Sequence, residues 1–338
     1  MKRRVTFTVA CIAVLALACS LCGCSSLGIG TSSTYAPQKK SAQVSTPTIG
    51  QAGVLRVGVN SSNTPFSTQV SGKVVGLDVD VAAALADEMG LDLQIVDVGS
   101  DPEGALADGT VDIVMNMDKS DTAVSCWLSD PYVQTAVALF ATASDATMPT
   151  VASKPSIEAQ SASMSAWEVS TQFGDSSLKT TTDLKTAFSD LKGGTTKYVA
   201  ADAVIGSYVN YTSGSGAKII GLMQKSGGYC IGVANSNSDL KTAISSALSA
   251  ISNQGILSII ETKWLGSDLN LSGYSLTDTA TKSASTSSSS SASADGSTSA
   301  SVSEAGSNAV SLGSSSRNSS NSSSGTSAST ATPTITVG

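Results

Sequence analysis

The chain has 338 residues, with 26 acidic against 19 basic side chains for a net charge of −7, and it contains no histidine. That balance argues against nucleic acid or anionic lipid as its principal contact, and the missing imidazole excludes Ser/His and Cys/His nucleophiles and histidine-ligated metals. Between Gly53 and Gly266 the only arginine is Arg56, so a planar fork for a carboxylate or phosphate has a single candidate in that span.

The chain opens on Lys2, Arg3 and Arg4, followed by an apolar run over residues 5–21 that is short and ends in small residues. This is the pattern of a secretory leader rather than a membrane span. The run closes on Leu21-Cys22-Gly23-Cys24, which resembles the lipobox of bacterial lipoproteins with Cys24 as the lipid-bearing first residue. The rival site, Ala16-Leu17-Ala18-Cys19, lacks the leucine three residues before the cysteine. The resemblance implies a protein on the outer face of the cytoplasmic membrane, since a diacylated cysteine suffices for stable anchoring. Residues 1–23 are then the leader and residues 24–51 a flexible Ser/Thr/Gly/Ala/Pro-rich tether.

Loss of the leader removes three basic residues and Cys11, Cys19 and Cys22, leaving Cys126 and Cys230 in the folded part. In an oxidising compartment they either pair as a disulfide or remain two buried thiols. No cluster has metal-ligand spacing, and no cofactor is expected.

The middle, about 210 residues, is long enough for one large domain or two small lobes. Residues 54–59, Val-Leu-Arg-Val-Gly-Val, read as a buried parallel strand. Residues 77–90 follow as a helix, with Asp78 or Asp80 as its cap, Val81, Leu85 and Met89 on one face and Gly90 as its stop. Strands are expected over 93–98 and 111–115, separated by a short helix over 103–107. Strand–helix alternation of this kind gives a mostly parallel sheet. An apolar run over 136–141 leads into small polar residues and a second lobe, with a helix over 182–191, a strand over 197–201 and a helix over 205–211. A strand over 229–233 returns, and residues 238–253 form an amphipathic helix with Leu240, Ile244, Ala247, Leu248 and Ile251 on one face, ended by Gly255. Residues 257–265 are a last helix. Beyond Tyr274 there is no aromatic residue, and Ser, Thr, Ala and Gly dominate. Residues 268–338 are therefore expected to be a disordered tail, because they bury too little apolar surface to offset chain entropy.

The order and wording of these segments resemble the bacterial extracellular solute-binding proteins of the polar amino-acid class, the receptors of ABC importers. The resemblance is carried by Val54-Leu55-Arg56-Val57-Gly58-Val59, Gly76-Leu77-Asp78-Val79-Asp80-Val81 and Leu106-Ala107-Asp108-Gly109-Thr110-Val111-Asp112-Ile113. It continues through Leu128-Ser129-Asp130-Pro131-Tyr132, Val199-Ala200-Ala201-Asp202, Tyr229-Cys230-Ile231-Gly232-Val233 and Lys263-Trp264-Leu265-Gly266. It implies an α/β, two-lobed periplasmic-binding-protein-like fold of type II, each lobe a mostly parallel sheet flanked by helices. Residues 52–142 and 228–267 would build lobe 1 and residues 143–227 lobe 2. Hinge strands are expected near 139–144 and 227–231, with closure on a solute in the cleft.

Against the family's pattern the site departs. Where relatives place an arginine for the ligand carboxylate, this chain has Asp121 or Thr122, and Lys119 nearby is a compact charge without fork geometry. Aromatic walls are replaced by Asn63 and Gly99, whereas Phe66 is kept. Asp202 stands where relatives hold the ligand's ammonium group, and its bland reading is a helix N-cap. Ser161 and Ser163 precede a helix whose free N–H groups suit an anionic ligand group, the alternative being ordinary serine capping. Trp167 is either a stacking wall or a core residue. The ligand set implied by the resemblance is Asp202, Ser161, Ser163 and Phe66, with Asn116 and Lys119 beside them.

The expected partners are a small polar solute, amino-acid-like or an amine, and an ABC permease. The membrane is reached through the N-terminal lipid, nucleic acid is excluded, and the protein is monomeric. An enzyme is not expected: Ser238-Asp239-Leu240-Lys241 fits Ser-x-x-Lys but starts a helix without companion motifs, and groups for acid–base work, as in the related dehydratases, are sparse. The alternative is a diverged binding-protein fold serving as a surface interaction or sensory module.

Overall fold

The computed structural model describes residues 39–142 and 146–282. The expected leader, Cys24, residues 24–38 of the expected tether and the expected tail from residue 283 onward lie outside the described residues. Residues 39–51, also expected to be flexible tether, instead pack on the fold: Ile49 is buried in the core, and the Gln43 N–H donates to the Met89 carbonyl at 2.9 Å.

The first half builds β1 (Val54–Val59), β2 (Ser62–Asn63), β3 (Ser67–Val70), β4 (Lys73–Val75), α1 (Leu77–Glu88), β5 (Asp92–Asp97), α2 (Pro102–Ala107), β6 (Ile113–Asp118), β7 (Trp127–Leu128) and β8 (Val133–Thr135). Then come β9 (Val137–Ala141), β10 (Ile157–Gln160), α3 (Met164–Phe173), β11 (Leu178–Thr181), α4 (Leu184–Lys192), β12 (Tyr198–Asp202), α5 (Ala203–Ser213) and β13 (Lys218–Leu222). The chain returns through β14 (Gly227–Val233), α6 (Ser238–Asn253) and α7 (Ile256–Leu265).

Two large sheets result. The first has order β5-β1-β6-β14-β7 with β8 also on β14, and the second β11-β10-β12-β9-β13. A small meander, β2-β3-β4, stands apart. β1 lies between parallel β5 and β6, and β14 closes antiparallel on β6. β10 lies between parallel β11 and β12, with β9 antiparallel to β12. Between β1 and α7 the described chain passes between the sheets twice, at Ala136 and over residues 223–226.

That places the first crossing earlier than expected. Residues 139–141 lie inside β9, fully paired with β12 and β13, so they belong to the second sheet and not to a hinge. A continuous apolar run, here Ala136-Val137-Ala138-Leu139-Phe140-Ala141, marks both a hinge strand and a buried central strand, so the sequence alone does not separate them.

Helix faces follow their periodicity. On α6 the buried residues are Leu240, Ile244, Ala247, Leu248 and Ile251, and Asn237 caps it by accepting from the Leu240 N–H. The cap of α1 differs from expectation. The helix starts at Gly76, whose φ of 155° and a Cβ path blocked by the Phe66 carbonyl leave room only for glycine. Asp78 is instead buried in the first turn, where it accepts from the Tyr132 hydroxyl at 2.6 Å. Asp80 accepts from Lys263 Nζ and Trp264 Nε1, pinning α7 to α1.

Cys126 and Cys230 are separate free thiols. Cys230 sits opposite Met117 in the β14–β6 ladder, while Cys126 precedes β7 on the other flank of β14. The disulfide held open by the sequence is not formed.

The tail begins later than residue 268. Leu269 and Leu271 are buried in the main core, and Leu276 makes a parallel bridge to Leu222. Glu261 anchors this segment by accepting from the Leu269 N–H at 2.8 Å. Burial pushes its carboxyl up to about 8, with Asp268 adding to the effect and the Leu269 hydrogen bond opposing it. The folded state thus holds a proton that the unfolded chain releases near 4.5, so stability declines as pH rises from about 4.5 to about 8. Glu261→Gln keeps an acceptor and removes the charge. The expected result is an unchanged thermal midpoint at pH 4 and one raised by roughly 4 °C or more above pH 8, checked by melting curves across pH.

Candidate functional site

The carboxyl ends of parallel strands are where open α/β sheets leave a crevice. In the first sheet these are the ends of β1, β5 and β6. In the second they are the ends of β10 and β12, which run side by side with Ala159 opposite Ala200. Tyr229 pairs with Asp118 at the end of β6, and its hydroxyl donates to Asp202 Oδ2 at the end of β12 at 3.1 Å. The two carboxyl edges therefore meet at the hinge.

At the first edge is a pocket of about 210 Å³ lined by Asn60, Asn63, Asp78, Gly99, Ser100 and Asn116, among others. Its rim is held by Asp97, which accepts from the Ser61 N–H and hydroxyl and from the Gly99 N–H. Its floor contains two amides. Asn63 Nδ2 donates to Asn116 Oδ1 at 2.9 Å, which fixes the orientation of the Asn116 amide. Asn116 Nδ2 is then buried with no hydrogen-bond partner among the described residues. Asn116 also has φ 62°, left-handed for a residue with a Cβ.

Beneath it, the Asn116 N–H donates to the Tyr132 hydroxyl at 3.1 Å, and that hydroxyl donates onward to Asp78. Burial pushes the Asp78 carboxyl up to about 7, partly offset by the Tyr132 bond. Among the described residues, Asp78 is the only titratable group lining the pocket.

The cations are committed elsewhere. Arg56 grips Asp112 through Nη2 at 2.7 Å and Nε at 3.2 Å, and Nη1 donates to the Gly109 carbonyl. Lys119 Nζ donates to the carbonyls of Ser129 at 2.8 Å and Leu128 at 3.5 Å, so the expected carboxylate partner is tied to its own lobe. Asp121 and Thr122, which stand where relatives have arginine, are exposed.

On the second edge, Asp202 accepts from the Val204 and Ile205 N–H groups as the cap of α5, and from Thr135 Oγ1 as well as Tyr229. Its four acceptor directions are filled, two of them by first-sheet hydroxyls. Burial raises its pKa against these bonds, the one from Thr135 being the strongest. Ser163 caps α3, accepting from the Ala166 N–H and donating to the Gln160 carbonyl. Ser161 is exposed, with its N–H donated to the Thr181 carbonyl. Between them Ala162 has φ 55°. Each edge thus carries one non-glycine residue in the left-handed region, a kind of strain that clusters at ligand sites.

Phe66 is not an open wall. It is 1% exposed and packs edge-to-face on Tyr229, with centroids 4.7 Å apart. Trp167, by contrast, is 59% exposed and Met164 63%. The buried face of α3 carries Ala166, Val169 and Phe173, and Trp167 falls on the opposite side. Of the expected ligand residues, only Asn116 lines the pocket. Asn60 and Ser100 were missed, although both follow strands whose carboxyl ends are natural binding positions.

Residues 55–267 match the sequence profile of the bacterial extracellular solute-binding proteins, family 3. Solved structures share the fold, three of them as follows. An ancestral cationic amino acid solute-binding protein is 21% identical, covering 63% of this chain and 96% of its own, with a TM-score of 0.54. A polar amino acid ABC uptake transporter substrate-binding protein from Streptococcus thermophilus is 19% identical over 64% of this chain and 87% of its own, at 0.58. The L-cystine solute receptor of Neisseria gonorrhoeae in its unliganded open conformation is 20% identical over 64% and 94%, at 0.55. No curated protein matches the chain by sequence.

Proposed function

The chain belongs to the bacterial extracellular solute-binding proteins of family 3, and from that premise we propose that it is a lipoprotein, anchored through Cys24 outside the cytoplasmic membrane, that captures a small uncharged polar solute and delivers it to an ABC permease. Capture proceeds by closure of the two lobes over the carboxyl edges of their sheets. The observation that carries this reading is the Asn116 amide: a buried donor without a partner costs about 1–3 kcal/mol, and an acceptor on the solute recovers it.

The charge pattern sets the class. A solute carboxylate finds no arginine or lysine among the lining residues, and an ammonium group finds Asp202 already saturated by four donors. A carbonyl or hydroxyl needs neither. Catalysis is no part of the proposal, because the one titratable lining group, Asp78, is held by Tyr132.

A second reading, an interaction or sensory module with no transported solute, is favoured by the internal engagement of Asp202, Ser163 and Phe66. A thermal-shift screen separates the two. Its panel is amino acids, small peptides, amines, organic acids and the corresponding amides. A solute at about 100 times its Kd adds about 2.7 kcal/mol. Stabilisation by uncharged amides or peptides is expected, and silence across the panel favours the module.

A further inference from the structure

Past α7 (Ile256–Leu265), and past the family match except for its last residue, residues 267–282 lace the two sheets together. On the first-sheet side, the Leu269 N–H donates to Glu261 and the Leu271 N–H donates to Gln134 Oε1 on β8 at 2.9 Å. Leu271 is buried in the core there. On the second-sheet side, the segment runs beside β13, the edge strand of its sheet. The Leu222 N–H donates to the Ser275 carbonyl at 3.0 Å, and the Thr277 N–H donates to the Leu222 carbonyl at 2.9 Å. The Thr277 hydroxyl then donates to Gln172 Oε1 on α3, whose Nε2 donates to the Met223 carbonyl.

These anchors flank the two chain crossings. Gln134 lies just before Ala136, and Leu222 and Met223 open the return crossing. Any rotation of one sheet against the other about those crossings changes the separation of the two anchor sets. Between Leu271 and Ser275 only four peptide units span the gap, at most about 14 Å when extended. Part of that reach is wound into a turn, with the Tyr274 N–H on the Leu271 carbonyl. A rotation that parts the two anchor sets therefore unwinds the turn first and then strips the bridge to β13.

We propose that residues 267–282 are a third connection between the lobes, a strap that sets their resting angle and limits how far they rotate. It adds backbone hydrogen bonds to an exposed sheet edge, a mode that needs no particular side chains and is reversible strand by strand. None of its residues lines the pocket, so it acts on the lobe angle without touching a solute held there. The inference does not depend on which solute the cleft takes.

The test is hydrogen exchange on the full chain, comparing wild type with the double variant Leu276→Asp and Thr277→Ala, and with a chain ending at Gly266. The reporters are amides at the crossings, where the Ala203 N–H donates to the Ala136 carbonyl and the Met223 N–H to the Val137 carbonyl. The controls are amides inside α1 and α4. The strap predicts exchange at the crossings at least tenfold faster in the double variant with the controls unchanged, and a changed radius of gyration by scattering. Unchanged exchange at the crossings overturns it. An equal acceleration at crossings and controls also overturns it, since that is the signature of general destabilisation. The double variant keeps the test informative if the truncated chain does not fold.

Discussion

Asp112→Ala lowers the free energy of unfolding by about 3–5 kcal/mol, and Arg56→Ala lowers it by a similar amount. The Asp112 side chain is 4% exposed and that of Arg56 17%. Asp112 accepts from the Gly50 N–H and the Arg56 N–H, each at 2.8 Å, and from two guanidinium nitrogens. Deleting the carboxylate strands a nearly buried cation and two backbone donors, which is the costly direction of such a change. Arg56→Lys recovers little, because an ammonium group cannot make the forked pair and also reach Gly109. The pair ties β1 to the loop before β6, so the only arginine of the folded region serves folding. Urea unfolding is the check, and the double variant is expected to cost about as much as either single one. A loss under about 1 kcal/mol would contradict this use of Arg56.

Asn116→Gly is expected to move stability and binding in opposite directions. Glycine takes φ 62° without the cost of about 1–2 kcal/mol borne by a residue with a Cβ, and the substitution removes a buried donor that has no partner. Against this stands the loss of one bond from Asn63, worth about 1 kcal/mol. The thermal midpoint therefore holds or rises. Affinity for the solute falls about tenfold to a hundredfold, the worth of one hydrogen bond to a desolvated amide. A purely structural asparagine would lose stability and leave affinity alone.

Much of the scaffold was legible because its signals are local. The β1 and β14 runs, the α6 face and the Gly90 and Gly255 stops are patterns of near neighbours. The meander β2-β3-β4 and the short strands β10 and β11 escaped because two to four residues carry too little periodicity. The segment after residue 267 escaped for a related reason: Leu269, Leu271 and Leu276 are few within a Ser/Thr background, and composition averages them away.

The site was less legible, because its decisive contacts are long-range. Asp202 was read as the holder of a ligand ammonium group with a helix cap as the alternative; the structure shows the cap, and its further partners Thr135 and Tyr229 lie on the other sheet. Lys119 reads as a free charge until Ser129 is folded against it. Phe66 reads as a wall until Tyr229 packs on it. The departures from the family pattern at Asn63 and Gly99 were visible from the start, and they point to the pocket that the structure forms.

The central claim is that the cleft holds an uncharged polar group through Asn116 and has no clamp for a carboxylate. Calorimetric titration of the folded protein with N-acetylglycinamide and with N-acetylglycine, a pair differing in one amide against one carboxylate, tests it most directly. The account predicts that the amide binds at least about tenfold more tightly, a gap of about 1.4 kcal/mol. A carboxylate that binds as tightly as the amide, or more tightly, would contradict it.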